Sequence, residues 1–254
     1  MQRCLELQSA HPPRTTAQRF WGVDPLAPAA RSWFKGVQGE QRIGRELELL
    51  GSEFTVLHAV PVGRGEADVD HIVVGPTGVF SINSKNHSGQ RVFVGGGSFI
   101  IGSQRTPHIR NSLSEGKRAT KLLSDAASCP ILVQPLLVVI ADQIKRGSTV
   151  SSVVVLTPGS VRRWILNLPR VHSVEAVRYL SMVTEDRATW HADAVVLTDT
   201  LSITQRFDRL EREVKGARQR RRTIASAILL GAIGLPIAAL GVLSVMASIL
   251  LGVG

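Results

Sequence analysis

Apolar and polar positions along this chain change period several times, and each change marks an element. From residue 36 onward Val37, Ile43, Leu47, Leu49 and Leu50 recur at helical spacing among Glu40, Arg42, Arg45, Glu46 and Glu48, and Gly51 follows as a C-cap. Residues 54–62 read as a strand containing His58, and Gly63-Arg64-Gly65-Glu66 as a turn. The clearest pattern lies over residues 68–89. Val69, Ile72, Val73 and Val74 form one apolar run and Val79, Phe80 and Ile82 a second. Gly75-Pro76-Thr77-Gly78 between them is turn chemistry, so the stretch predicts a hairpin. Another pair of short strands is expected over 91–101, around Gly95, Gly96 and Gly97. Pro107 opens a helix to residue 127 with Leu113, Ala119, Leu122 and Leu123 on its apolar side. Continuous apolar runs at 132–140 and 150–156 predict strands covered on both faces. Thr157 and Ser173 are N-caps of two further helices, ending near residues 168 and 183.

The order is helix, meandering strands, helix, strand, strand, helix, helix, which predicts an α/β domain with a mixed central sheet flanked by helices. Four regions are expected. Residues 1–34, with Pro12, Pro13, Pro25 and Pro28, read as a flexible tail without a secretory signal, pinned at Trp21 and Trp33. Residues 35–185 form the α/β domain. Residues 186–222 are a polar helical connector in which Phe207, Leu210 and Val214 share a face. Residues 223–251 lie in a stretch with no charged residue, long enough for a C-terminal transmembrane helix, either one kinked span or a hairpin interrupted at Gly234, Pro236 and Gly241.

Charge sharpens that picture. The chain carries 30 Lys and Arg against 20 Asp and Glu, an excess that predicts an acidic partner, nucleic acid or anionic lipid. Arg218, Arg220, Arg221 and Arg222 directly precede the apolar stretch. The positive-inside rule then expects a single-pass cell-membrane protein, its N-terminal domain cytoplasmic and its arginine block on lipid headgroups. Cys4 and Cys129 form no CxxC or zinc spacing, which excludes a disulfide framework and fits a reducing compartment.

The chemistry-bearing residues gather at the ends of the hairpin: Asp68 and Asp70 on one strand, Lys85 on the other. From the residues alone two readings stand, an ion pair at the sheet edge and a site. Other constellations carry less. His58, His71, His87 and His108 lack short metal-ligand spacing, Ser84 has no nucleophile elbow, and the Gly95–Gly97 run lacks a strand-to-helix context for phosphate.

Gly39-Glu40 at the start of a helix, Asp70-His71-Ile72-Val73-Val74-Gly75-Pro76-Thr77-Gly78-Val79-Phe80-Ser81-Ile82, and Lys85-Asn86 together resemble NERD, the nuclease-related domain, over about residues 35–183. The resemblance implies a restriction-endonuclease-like fold with a PD-(D/E)xK site: a helix Glu, a hairpin Asp and a Glu-x-Lys pair. These map onto Glu40, Asp70, Asn83 and Lys85. It also implies phosphodiester hydrolysis of nucleic acid with Mg²⁺ or Mn²⁺ held by Asp70 and Glu40, with Lys85 on phosphate; Asp68 is expected to compensate as a metal ligand for Asn83, and Arg110, where the chain departs from the family's Asn-Pro pattern, to contact phosphate. Asn83 departs from the pattern, because an amide stands where a carboxylate is expected. Period-2 alternation keeps Asn83 and Lys85 on one face, and Asp68 shares the face of Asp70. The departure leaves a second expectation, a non-catalytic module binding nucleic acid or a protein partner at the membrane face.

Overall fold

The computed structural model describes residues 1–62, 68–147, 153–190, 200–250 and 252. The turn expected at 63–66, the first residues of the strand expected at 150–156 and residues 191–199 of the connector lie outside the described residues. The chain divides into two compact units, Phe34–Leu197 and a second made of Met1–Trp33 with Thr198–Gly254.

In the larger unit a mixed sheet is built on the predicted hairpin. Strands β1 (Thr55–Pro61), β2 (Asp68–Gly75) and β3 (Gly78–Gly95) form an antiparallel meander. Gly78, at φ +140°, takes the turn position that only glycine fills without strain. β3 continues 18 residues, so the two short strands expected over 91–101 are in fact its far end and β4 (Ser98–Ile101), with β5 (Gln104–Thr106) beyond. On its other edge β3 pairs in parallel with β6 (Val133–Arg146), and β6 with β7 (Val154–Leu156). The β3–β6 register shifts once, between His87 and Arg91, where Gly89 has φ +84°.

Helices cover both faces. α3 (Arg31–Glu48) and α5 (Pro158–Leu166) bury Ile43, Leu47, Val161 and Ile165 against Val73, Phe80, Ile82, Leu136 and Val138. α4 (His108–Ala127) and α6 (Val174–Glu185) bury Ala119, Leu123 and Leu180 against Val69, Ile72, Val74 and Val79, and Trp190 of the short α7 (Arg187–Trp190) joins them. Burying a Leu, Ile or Phe side chain stabilises by about 1.5–3 kcal/mol, which is why the hairpin's apolar runs become the centre of the sheet. The predicted mixed sheet flanked by helices is the observed one.

The smaller unit departs from expectation twice. Residues 1–34 contain helices α1 (Gln2–Ser9) and α2 (Thr16–Phe20) and a 3₁₀ turn at Pro28–Ala30. The prolines fall between these elements or at a first turn, where they do not break a helix. A Thr15–Gln18 capping box starts α2. Cys4, Leu5, Leu26, Ala27 and Ala30 are buried, whereas Trp21 and Trp33, the expected anchors, are exposed. The other departure is the C-terminus. The expected transmembrane helix is overturned: among the described residues no helix is long and apolar enough to cross a membrane. The apolar residues after 222 form no element of their own. They continue α8 (Thr200–Leu250), the helix whose first half carries Arg206, Arg209, Arg212 and Arg218. The lipid-headgroup partner expected for the arginine block loses its basis with that span.

Candidate functional site

The site is assembled on β2 and β3. Asp70 lies in β2; Asn83 and Lys85 lie two apart on β3 and so on one face. The Asp70 Oδ2 accepts the Ser84 backbone N–H at 2.5 Å. Lys85 does not form the ion pair with Asp70 that one reading expected. Its Nζ donates to the Ser84 carbonyl at 3.1 Å, and the two charges interact through space.

The helices on the two sides of the sheet each bring a glutamate, beside a glycine, toward these residues. On α3 a methyl group on Gly39 would stand 3.0 Å from the Asn86 Cβ, so the helix lies close against β3. Two bonds hold it there: Asn86 Nδ2 donates to the Lys35 carbonyl at 2.8 Å, and Lys35 Nζ to that of Ser88 at 2.6 Å. The next residue, Glu40, thereby comes within electrostatic reach of Asp70, Lys85 and Asp68. On α4 a methyl group on Gly116 would stand 2.9 Å from the Pro135 Cβ and 3.2 Å from the Ser81 Oγ. Its neighbour Glu115 accepts from Asn83 Nδ2 through Oε2 at 2.5 Å and interacts with Lys85 and Asp70.

Glu115 is the residue that sequence reasoning missed. The motif looks for a carboxylate two residues before Lys85 on the same strand, and here one reaches Asn83 from a different element. A signal existed: Glu115 borders the small and apolar stripe Ser112, Gly116, Ala119 and Leu123 by which α4 meets the sheet.

Burial sets the electrostatics. It raises the Asp70 carboxyl, outweighing the Lys85 charge and the Ser84 bonds. Glu40 is raised by burial and then by Asp70. Glu115 is raised by burial in spite of its Asn83 bond and Lys85. Several carboxyls crowd a partly dry site with one lysine, an arrangement that favours an added cation. Among the described residues no three His, Cys, Asp or Glu side chains converge closely enough to hold a metal ion as they stand. The donor set still suits a hard cation. Asn83 is 5% exposed, and its Oδ1 has no hydrogen-bond partner, so a buried oxygen beside Asp70 and Glu115 is left for a ligand to satisfy.

Asp68 is exposed at the head of β2, with a carboxyl raised by partial burial. Arg110 stands exposed on the first turn of α4, away from these bonds. Arg218, Arg220, Arg221 and Arg222 are in the other unit. The histidines pair up. His58 and His71 approach at 2.7 Å between Nδ1 atoms behind Ser84, and His87 stacks on His108 with Nε2 atoms 3.2 Å apart. Burial first, then the Lys85 charge, lowers His108 to about 4.

Comparison with curated proteins and with solved structures gave no match. The family model described as the nuclease-related domain, NERD, matches residues 35–157. The match takes in α3, the hairpin, β6 and the α4 that carries Glu115. Over residues 35–157 this chain is similar to the nuclease-related domain family.

Proposed function

We propose that this chain hydrolyses phosphodiester bonds in nucleic acid at the site where Glu40, Asp70, Asn83, Lys85 and Glu115 come together. The observation that carries the reading is the Asn83–Glu115 bond, which returns a carboxylate to the position where the motif lacks one. Lys85 holds a non-bridging phosphate oxygen as a point charge. Water adds to phosphorus as the bond to the leaving oxygen breaks; Glu115 or Glu40, each with its carboxyl raised by burial, takes the water's proton, and the leaving oxygen takes one from solvent. Asp70, Glu40, Asp68 and the Asn83 Oδ1 would hold Mg²⁺ or Mn²⁺, which when bound neutralises charge on the phosphate and acidifies water.

The test is cleavage of labelled DNA and RNA by the full chain with Mg²⁺ or Mn²⁺. Asp70→Ala should abolish cleavage, and Lys85→Ala should lower it about 100-fold or more. Glu115→Ala should cost as much as Asp70→Ala. Full activity in Glu115→Ala refutes its role. Asn83 itself supports a second reading, a non-catalytic binding module. Oligonucleotide binding without cleavage in either metal, with cleavage gained by Asn83→Glu, would establish that one.

A further inference from the structure

The smaller unit holds a basic hollow that the nuclease-related site does not use. Along α8, Arg206, Arg209, Glu213, Gly216 and Arg220 recur every three or four residues and therefore share a face. Phe207, Leu210, Val214 and Ala217 form a different, buried stripe. The N-terminal segment supplies the opposite wall. Arg14, Arg19, Arg209, Arg212 and Arg220 surround a concavity of about 450 Å³ whose one acidic lining residue is Glu213. A second hollow of about 400 Å³ shares Arg14, Arg19, Arg209 and Glu213 and adds Arg206.

The walls are built. Arg14 has only 14% of its side chain exposed; it donates to the Val23 carbonyl at 2.9 Å and stands 3.6 Å from Glu213. Arg209 lies 3.5 Å from the same carboxylate. Arg220 donates to the Arg19 carbonyl at 3.3 Å, linking the two walls. Gly22, at φ +66°, lies so close to α8 that a methyl group would stand 2.6 Å from the Ala217 carbonyl oxygen. Six guanidiniums thus share one carboxylate, and among the described residues Arg19, Arg206, Arg212 and Arg220 have no acidic partner. Clustered guanidiniums repel one another unless an anion lies among them, and their planar forks match phosphate oxygens two at a time.

We propose that this hollow binds the phosphate backbone of a nucleic acid, independently of its sequence, a reading that rests on the function proposed above. The spacing selects an extended polyanion over a single phosphate. From Arg206 to Arg220 α8 rises about 21 Å, a length over which one strand of a B-form duplex presents about six phosphates.

The experiment measures binding of a fluorescent single-stranded oligonucleotide to the full chain across a KCl series with metal chelated, and cleavage in parallel with metal. Replacing Arg19, Arg212 and Arg220 together by Gln should weaken binding at least about tenfold and flatten the slope of log K against log salt by about 2. Glu213→Gln should act in the opposite direction, tightening binding severalfold and steepening the slope. Circular dichroism on each variant separates a lost site from a lost fold. Unchanged affinity in the folded triple variant overturns the proposal, as does arginine-dependent binding of anionic phospholipid vesicles without binding of the oligonucleotide. Binding lost with the arginines in a chain that never cleaves supports this proposal while refuting the nuclease reading. Cleavage by a triple variant that binds as tightly as wild type refutes this proposal alone.

Discussion

Gly22→Ala tests whether the N-terminal segment is packed on α8. The added methyl would meet the Ala217 carbonyl oxygen at 2.6 Å, the Arg221 amide nitrogen at 2.7 Å and the Arg221 Cα at 3.2 Å, all backbone atoms. None is the end of a side chain that can swing away, so the segment or the helix must shift, at a cost of about 1–3 kcal/mol for overpacking. The φ of +66° adds about 1 kcal/mol for a residue with a Cβ. Together they weaken the packing by about 2–4 kcal/mol. The assay is limited trypsin digestion of the full chain, following cleavage after Arg14, which is held by Val23 and Glu213. If cleavage requires the segment to open and reclosing is fast, 2 kcal/mol raises its rate about thirtyfold. Gly36→Ala is the control, because a methyl there meets nothing within 4 Å and should be neutral or stabilising by up to about 1 kcal/mol. Equal cleavage after Arg14 in wild type and Gly22→Ala would refute the packing, and with it one wall of the arginine hollow.

Three further outcomes follow from the larger unit. Asp70→Asn should abolish cleavage yet raise the metal-free melting temperature at pH 7. Burial raises this carboxyl in the folded state, so its contribution to stability is complete below the unfolded value and is lost as the pH rises through the folded one, a loss that the neutral amide of Asn escapes. The gain should be about 0.5–2 kcal/mol, and a fall in Tm would contradict it. Burial and the facing His58 lower His71 to about 3, so its contribution is complete above about pH 6.5 and is lost as the pH falls toward 3, by about 1.4 kcal/mol per unit. An NMR titration of the His71 ring near its ordinary value would refute this. Gly116→Ala should push α4 off Pro135, cost about 1–3 kcal/mol and reduce cleavage by drawing Glu115 away from Asn83, whereas Gly159→Ala, in open space, should do neither. Equal denaturant midpoints and activities for the two would refute the role of the Gly116 contact.

What could be read from the sequence was whatever neighbouring residues settle among themselves. The hairpin from Asp68 was legible because period, turn chemistry and β-branched residues agree within one short stretch. The N-caps at Thr157 and Ser173 were legible because a cap acts on residues two or three positions on. Asp70, Asn83 and Lys85 could be placed on a common surface because strand alternation is local. The continuation of β3 through Gly95 was not legible: Gly89 reads as a break, and only pairing with all of β6 carries the strand across it. The residues before 34 read as a tail because their prolines were visible and their partners, some two hundred positions away on α8, were not.

The sequence by itself determined the sheet-centred α/β domain, the hairpin and the identity of the lysine and aspartate it carries, because the hydrophobic pattern and the turn glycines constrain the backbone locally. The tertiary structure alone decided three things: that α8 runs unbroken from its arginines into its apolar half, that the N-terminal arginines face those of α8, and that Glu115 meets Asn83. The last shows the reason. A side chain's chemistry is written in the chain, but its distance from another is set by packing, here by two glycines that let helices close on either face of one strand.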